Sequence, residues 1–249
     1  MLNEQEVRRL IENPMKPTDT FKFSCKACGD CCRNRKESII ITGYDVFRIA
    51  KELGIEMKEV VTKYTIGYIG NNSKLPVLIM KERPDGSCSL LRKGKCIVHQ
   101  NKPLVCAIYP LGRYYLPAEK RFGYFQQDIC CGTAEEHTLE EWLNIFNVPE
   151  WDEASSLWAT VITKLAEHTM KIKEPEAIEK MANILAVALY FDYDTNKSYT
   201  DRLLVTYLIC GMTEKQHVNK LNKIFIELTR IDVSVFYMHP ESRGYIERK

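Results

Sequence analysis

Apolar positions recur at two different periods along this chain, and the change near residue 135 predicts how it is organised. Before that point, short alternating or continuous apolar runs predict strands at Phe21-Lys22-Phe23, Ile39-Ile40-Ile41 and Lys74 to Lys81. Two more are expected in the Tyr- and Phe-rich stretches Gly112 to Leu116 and Phe122 to Gln126. A helix is predicted from Gly43 to Leu53, capped by Thr42, striped with Val46, Ile49, Ala50 and Leu53, and stopped by Gly54. Another helical turn follows over Met57 to Tyr64, and a lead-in helix from Glu4 to Glu12 ends at Pro14 and Pro17.

Past residue 135 the helical period takes over. Thr138 with Glu141 reads as a capping box for a helix through Phe146, and Pro149 to Asp152 opens a long helix bearing Leu157, Val161, Ile162 and Leu165. Pro175 opens the next, with Ile178, Met181, Ile184, Leu185 and Leu189 expected to face inward. After the polar turn Phe191 to Asn196, helices are predicted from Tyr199 to Cys210, stopped by Gly211, and from Glu214 to Arg230, capped by Thr213. Trp142, Trp151 and Trp158 read as core of this helical part. The expectation is an α+β fold with two domains, residues 1–135 and 136–249.

With 249 residues and 45% apolar content, the chain has enough material for a real core. Its first residues, Met1-Leu2-Asn3-Glu4-Gln5-Glu6-Val7-Arg8-Arg9, are charged and lack the apolar centre of a signal peptide. The ten cysteines therefore point to a reducing, cytoplasmic setting and not to disulfides. The longest apolar run, Ile184 to Phe191, is less than half of a bilayer crossing, so no membrane partner is expected. The net charge of +2 conceals an asymmetry: residues 1–135 carry 22 Lys+Arg against 15 Asp+Glu (+7), and residues 136–249 carry 13 against 18 (−5). A basic half suits a nucleic-acid surface, and it also suits a domain that must neutralise several metal-bound thiolates; the second reading is favoured.

The chemistry concentrates in Cys25-Lys26-Ala27-Cys28-Gly29-Asp30-Cys31-Cys32. Four sulfurs in eight residues do not follow the period of any packed element, so this stretch reads as a metal loop. Gly29 stands where a chain wrapping its ligands round one ion needs a positive φ angle, and Asp30 tolerates the same turn. The first three cysteines have the spacing that opens a bacterial ferredoxin loop, and Cys32, directly after Cys31, is left for a second centre. Downstream, Cys88 follows the turn Arg83-Pro84-Asp85-Gly86 and Cys96 follows Lys93-Gly94-Lys95, positions where zinc-ribbon-like sites place ligands. Cys106 and Cys130 bring the candidate metal ligands to eight: Cys25, Cys28, Cys31, Cys32, Cys88, Cys96, Cys106 and Cys130. Cys131 and Cys210 lie outside this pattern, with Cys210 on an apolar helix face.

In this ordered set of cysteines the sequence resembles the YkgJ-type CxxCxxCC cysteine-cluster family, described as zinc- or iron-chelating. The likeness covers roughly residues 20–135, with a weaker echo around Leu189-Tyr190-Phe191-Asp192-Tyr193-Asp194. The resemblance matches the later family cysteines to Cys88, Cys96, the Cys106 of Lys102-Pro103-Leu104-Val105-Cys106-Ala107-Ile108-Tyr109-Pro110, and Cys130 ahead of Gly132. The chain departs from the family at Lys102 and Ala107, where Arg is usual, and at His99, where Tyr is usual. The family leaves the metal open. Three sulfurs on one short loop with a remote fourth suit a [4Fe-4S] cluster, whereas structural zinc more often takes paired knuckles; the balance tips narrowly to iron–sulfur over zinc.

Two functional readings follow. One is a metal-chelating module, structural or redox in role, whose partners are metal ions and a protein. The other is a protein-modifying enzyme, because the same ordered cysteines are distantly similar to those of flagellin lysine N-methylases. No Gly-rich nucleotide loop accompanies them, so that chemistry would have to come from the metal centre. Metal storage or delivery is a third reading. Tyr109, Tyr114, Tyr115 and Tyr124 lack any RNA-recognition pattern and read as strand packing, so nucleic acid is not expected as a partner. His99, beside a turn, reads as solvated.

Overall fold

The computed structural model describes residues 9–33, 39–116, 118–127, 135–191 and 193–203. The elements in chain order begin with β1 (Thr20–Lys22), β2 (Ile40–Ile41), α1 (Gly43–Leu53), α2 (Met57–Tyr64), β3 (Thr65–Ile69) and β4 (Pro76–Met80). They continue with β5 (Leu91–Arg92), β6 (Lys95–Cys96), α3 (Leu104–Ile108), β7 (Leu111–Leu116), β8 (Arg121–Gln126) and β9 (Glu136–Thr138). The helices α4 (Leu139–Ile145), α5 (Val148–Thr169) and α6 (Pro175–Tyr190) follow. The fold is α+β, with short antiparallel strands in small sheets and helices in the C-terminal part. Residues 9–12 are helical and 199–203 open a further helix. The start of the expected lead-in helix, the rest of Tyr199 to Cys210 and all of Glu214 to Arg230 lie outside the described residues. Among the described residues no helix is long and apolar enough to cross a membrane.

The described residues fall into two compact units, one from Met1–Lys36 with Glu82–Ser156 and one from Glu37–Lys81 with Leu157–Lys249. In the first, β1 pairs antiparallel with β9, Phe21 opposite His137, and the pairing is extended when the Phe23 amide donates to the Glu135 carbonyl at 2.8 Å. Trp142 on α4 closes over this pair. Its ring meets Phe21 and Phe23 edge-on, at 5.6 and 5.4 Å between centroids, and its Nε1 donates to the Ile108 carbonyl at 3.0 Å. Edge-to-face pairs of this kind stabilise by about 0.5–1.5 kcal/mol beyond the area they bury. α4 starts with the expected capping box, Thr138 and Glu141 bonding reciprocally. β7 and β8 form a hairpin in which Arg113 lies over the Phe122 ring at 3.2 Å and pairs with Asp152 at 3.1 Å.

In the second unit β2, β4 and β3 form an antiparallel sheet in that order. α1 is capped as its sequence predicts: the Asp45 amide donates to Thr42 Oγ1 at 3.1 Å and the Thr42 amide to Asp45 Oδ2 at 2.8 Å, while Gly54 ends the helix with φ 64°. Val46, Ile49 and Ala50 are fully buried. Gly43 is packed so tightly that a Cβ would stand 2.7 Å from Trp158 and from the Tyr199 hydroxyl, and nearer still to the Leu189 carbonyl oxygen.

Four features differ from the sequence expectation. β3 follows α2 with no punctuation between them. β9 is a polar strand whose partner lies far back in the chain. Cys106 sits on a short helix, α3. On α6 the buried face runs through Ala182, Leu185, Ala186, Val187, Leu189 and Tyr190, so Ile178, Met181 and Ile184 are only half-buried.

Candidate metal centre

The cysteine loop is turned by two left-handed residues, Gly29 at φ 78° and Ala27, not Asp30, at φ 52°. Beyond Gly29 the chain makes a 3-10 turn over Asp30–Cys32, which carries Cys31 and Cys32. Gly29 is buried, and the space a side chain would fill faces Leu91 and the Gly94 carbonyl at 3.5 Å. Gly94 belongs to the two-residue connection of the β5–β6 hairpin, where Lys93 and Gly94 both have positive φ, 48° and 76°. Such a turn twists the strands tightly together and brings Cys96 back opposite Leu91. The loop is fixed to the next stretch by backbone contacts: the Cys88 amide donates to the Cys32 carbonyl at 2.8 Å, and Arg33 bridges Ser87.

These constraints bring Cys31, Cys32, Cys88, Cys96 and Cys106, from four stretches of chain, within electrostatic reach of one another. Cys31 and Cys32 have their sulfurs 3.8 Å apart. Cys32 senses charge at Cys31, Cys106 and Cys88, Cys96 senses Cys31, and Cys106 senses Cys88, Cys31 and Cys96. All five are half-buried, whereas Cys25 and Cys28 on the same loop are exposed. Cys130 and Cys131, with Cys210, lie outside the described residues. As placed, no three Cys, His, Asp or Glu side chains among the described residues stand close enough together to hold an ion. His99 is exposed, its ring 5.7 Å from Phe146, and burial together with Lys102 lowers its pKa.

The electrostatics of the thiols differ by position. The Cys31 hydrogen bond first, then burial, then neighbouring sulfur charge push the Cys32 thiol far up. Burial is the leading cause for Cys88, Cys96 and Cys106, with neighbouring sulfurs adding to it and Lys102 opposing it at Cys96 and Cys106. Without a cation, then, the Cys32, Cys88, Cys96 and Cys106 thiols hold their protons beyond the ordinary thiol range.

Backbone donors are aimed at three of the candidate sulfurs. The Ala27 amide donates to Cys25 Sγ at 3.4 Å, the amide of Leu90 is directed at Cys88 and that of Val98 at Cys96, while the Leu91 amide donates to the Cys88 carbonyl at 2.9 Å. Three cysteines thus receive an N–H from the residue two places on. A neutral thiol is a poor acceptor, and amides directed at sulfur stabilise the thiolate, the form that binds metal. A soft-sulfur donor set with thiolate-stabilising amides fits zinc or an iron–sulfur cluster. The turn at Gly29 was legible in the sequence. The amide contacts were not, although each follows from the local turn after a cysteine.

No curated protein and no solved structure matches the chain. Residues 24–143 match the family model CxxCxxCC, described as a "putative zinc- or iron-chelating domain".

Proposed function

We propose that the chain is a metal-chelating protein whose centre is held by thiolates from Cys25, Cys28, Cys31, Cys32, Cys88, Cys96, Cys106 and Cys130, with an iron–sulfur cluster favoured over zinc. The observation that supports this most is the electrostatic coupling among thiols from distant stretches, with main-chain amides directed at Cys25, Cys88 and Cys96. In this reading Cys31, Cys32, Cys88, Cys96 and Cys106 form the sheltered side of the centre, and Cys25 and Cys28 approach from the exposed rim. A bound cluster would supply one-electron chemistry, and zinc a structural cross-link. The three-cysteine opening of the loop favours the cluster.

Anaerobic purification followed by metal and acid-labile sulfide analysis tests the reading. Iron with matching sulfide, lost together when Cys31 and Cys106 are changed to Ser, is the expected result. Zinc without sulfide keeps the chelating function and overturns the cluster. Less than one equivalent of any metal overturns both.

A further inference from the structure

Beside the thiols stands a carboxylate whose partner is missing. Glu82 Oε1 is buried and has no hydrogen-bond partner among the described residues. Buried carboxylate oxygens are ordinarily compensated, because removing one from water without a donor or a cation is strongly unfavourable. Among the described residues, the basic groups nearby are directed elsewhere. The Arg83 guanidinium donates to Ser87 Oγ at 3.3 Å, to the Ser89 carbonyl at 3.1 Å and to the Leu91 carbonyl. Arg33 acts on Asp85, and Lys81 is exposed.

The backbone determines where Glu82 is carried. Glu82 and Cys88 form an isolated antiparallel bridge, and residues paired in this way project to the same face of the two strands. The Glu82 charge is felt at the Cys88 thiol, and the Cys88 amide is bonded to Cys32 in the cysteine loop. The unpaired carboxylate oxygen thus belongs to the neighbourhood of Cys88, where the thiols gather.

We propose that Glu82 is an oxygen ligand to the metal centre, which makes its donor set mixed sulfur and oxygen. The inference rests on the cysteine chelation proposed above. A carboxylate is a harder donor than a thiolate, and zinc and iron both accept it. If zinc or an iron–sulfur cluster is bound, Glu82 would supply one oxygen donor beside the cysteine sulfurs.

X-ray absorption at the metal edge of the purified protein reads the donor set directly, and Glu82→Gln provides the comparison. A shell of sulfur with one oxygen at ordinary bonding distance is expected, with the oxygen lost and the metal released to a chelator at least about tenfold more readily in Glu82→Gln. The same substitution puts a neutral amide in the place of the carboxylate, and the metal-free variant should melt no lower than the metal-free parent. An all-sulfur shell, or a variant that keeps its metal and melts lower, overturns the role of Glu82 and leaves cysteine chelation standing. Less than one equivalent of metal in the parent protein overturns both.

Discussion

Replacing Trp142 by Phe keeps an aromatic ring in the first unit but removes the N–H that serves the end of the helix carrying Cys106. In the native protein Nε1 donates at 3.0 Å to the carbonyl of Ile108, a residue only 2% exposed, and the Trp142 ring is itself 5% exposed. Leaving that carbonyl without its donor costs about 1–3 kcal/mol. The smaller ring leaves a void that removes roughly another 1 kcal/mol, since the edge-on contacts to Phe21 and Phe23 survive only in part. The sum is about 2–4 kcal/mol, a large share of the roughly 5–15 kcal/mol that holds an ordinary domain folded. Urea unfolding of the metal-free protein measures it, followed by far-ultraviolet circular dichroism because the substitution changes the fluorescence itself. A lowered midpoint with unchanged slope is expected. A change smaller than about 0.5 kcal/mol would refute the view that this indole organises the first unit.

Two further expectations follow. Gly43→Ala raises helix propensity by up to about 1 kcal/mol, yet its Cβ would drive into Trp158, Tyr199 and the Leu189 backbone. Net destabilisation of at least about 1–3 kcal/mol is expected in a thermal melt, and a stabilised variant would contradict the packing described. The second concerns alkaline pH. The folded pKa values of Cys32, Cys88, Cys96 and Cys106 are raised, so above the ordinary thiol range the folded state keeps protons that the unfolded chain has lost. The stabilisation is complete below the unfolded pKa and is lost as pH rises through the folded one, at up to about 1.4 kcal/mol per pH unit for each thiol. Metal-free protein should therefore lose at least about 2 kcal/mol between about pH 8 and pH 10 by urea titration, and a flat profile would rule out thiol burial.

Where the structure follows local chemistry, the sequence was a good guide. The helix Gly43–Leu53 was readable because Thr42, its apolar stripe and Gly54 all specify the same limits. The strands β7 and β8 were readable from their Tyr- and Phe-rich composition, and the structure pairs them as a hairpin. β9 was not, because Glu136-His137-Thr138 has no apolar alternation and becomes a strand only through Thr20–Lys22. On α6, hydrophobicity ranks Ile178 and Met181 above Ala182 and Ala186, but close packing selects the small residues for the inner face. At the site, the turns after Arg83 and Lys93 announced where Cys88 and Cys96 would emerge. Glu82 gave no such signal: a glutamate before a turn reads as solvated until its bridge to Cys88 is known.

The cysteine loop is held at both of its ends. Phe23 is clamped by Glu135 and by the rings of Tyr109 and Trp142, and Arg33 is stitched to Ser87. Much of the chain entropy that would oppose drawing its sulfurs together is surrendered when the polypeptide folds. In the proposed chelating role, the donors on this tethered segment stand at high local concentration before any ion arrives.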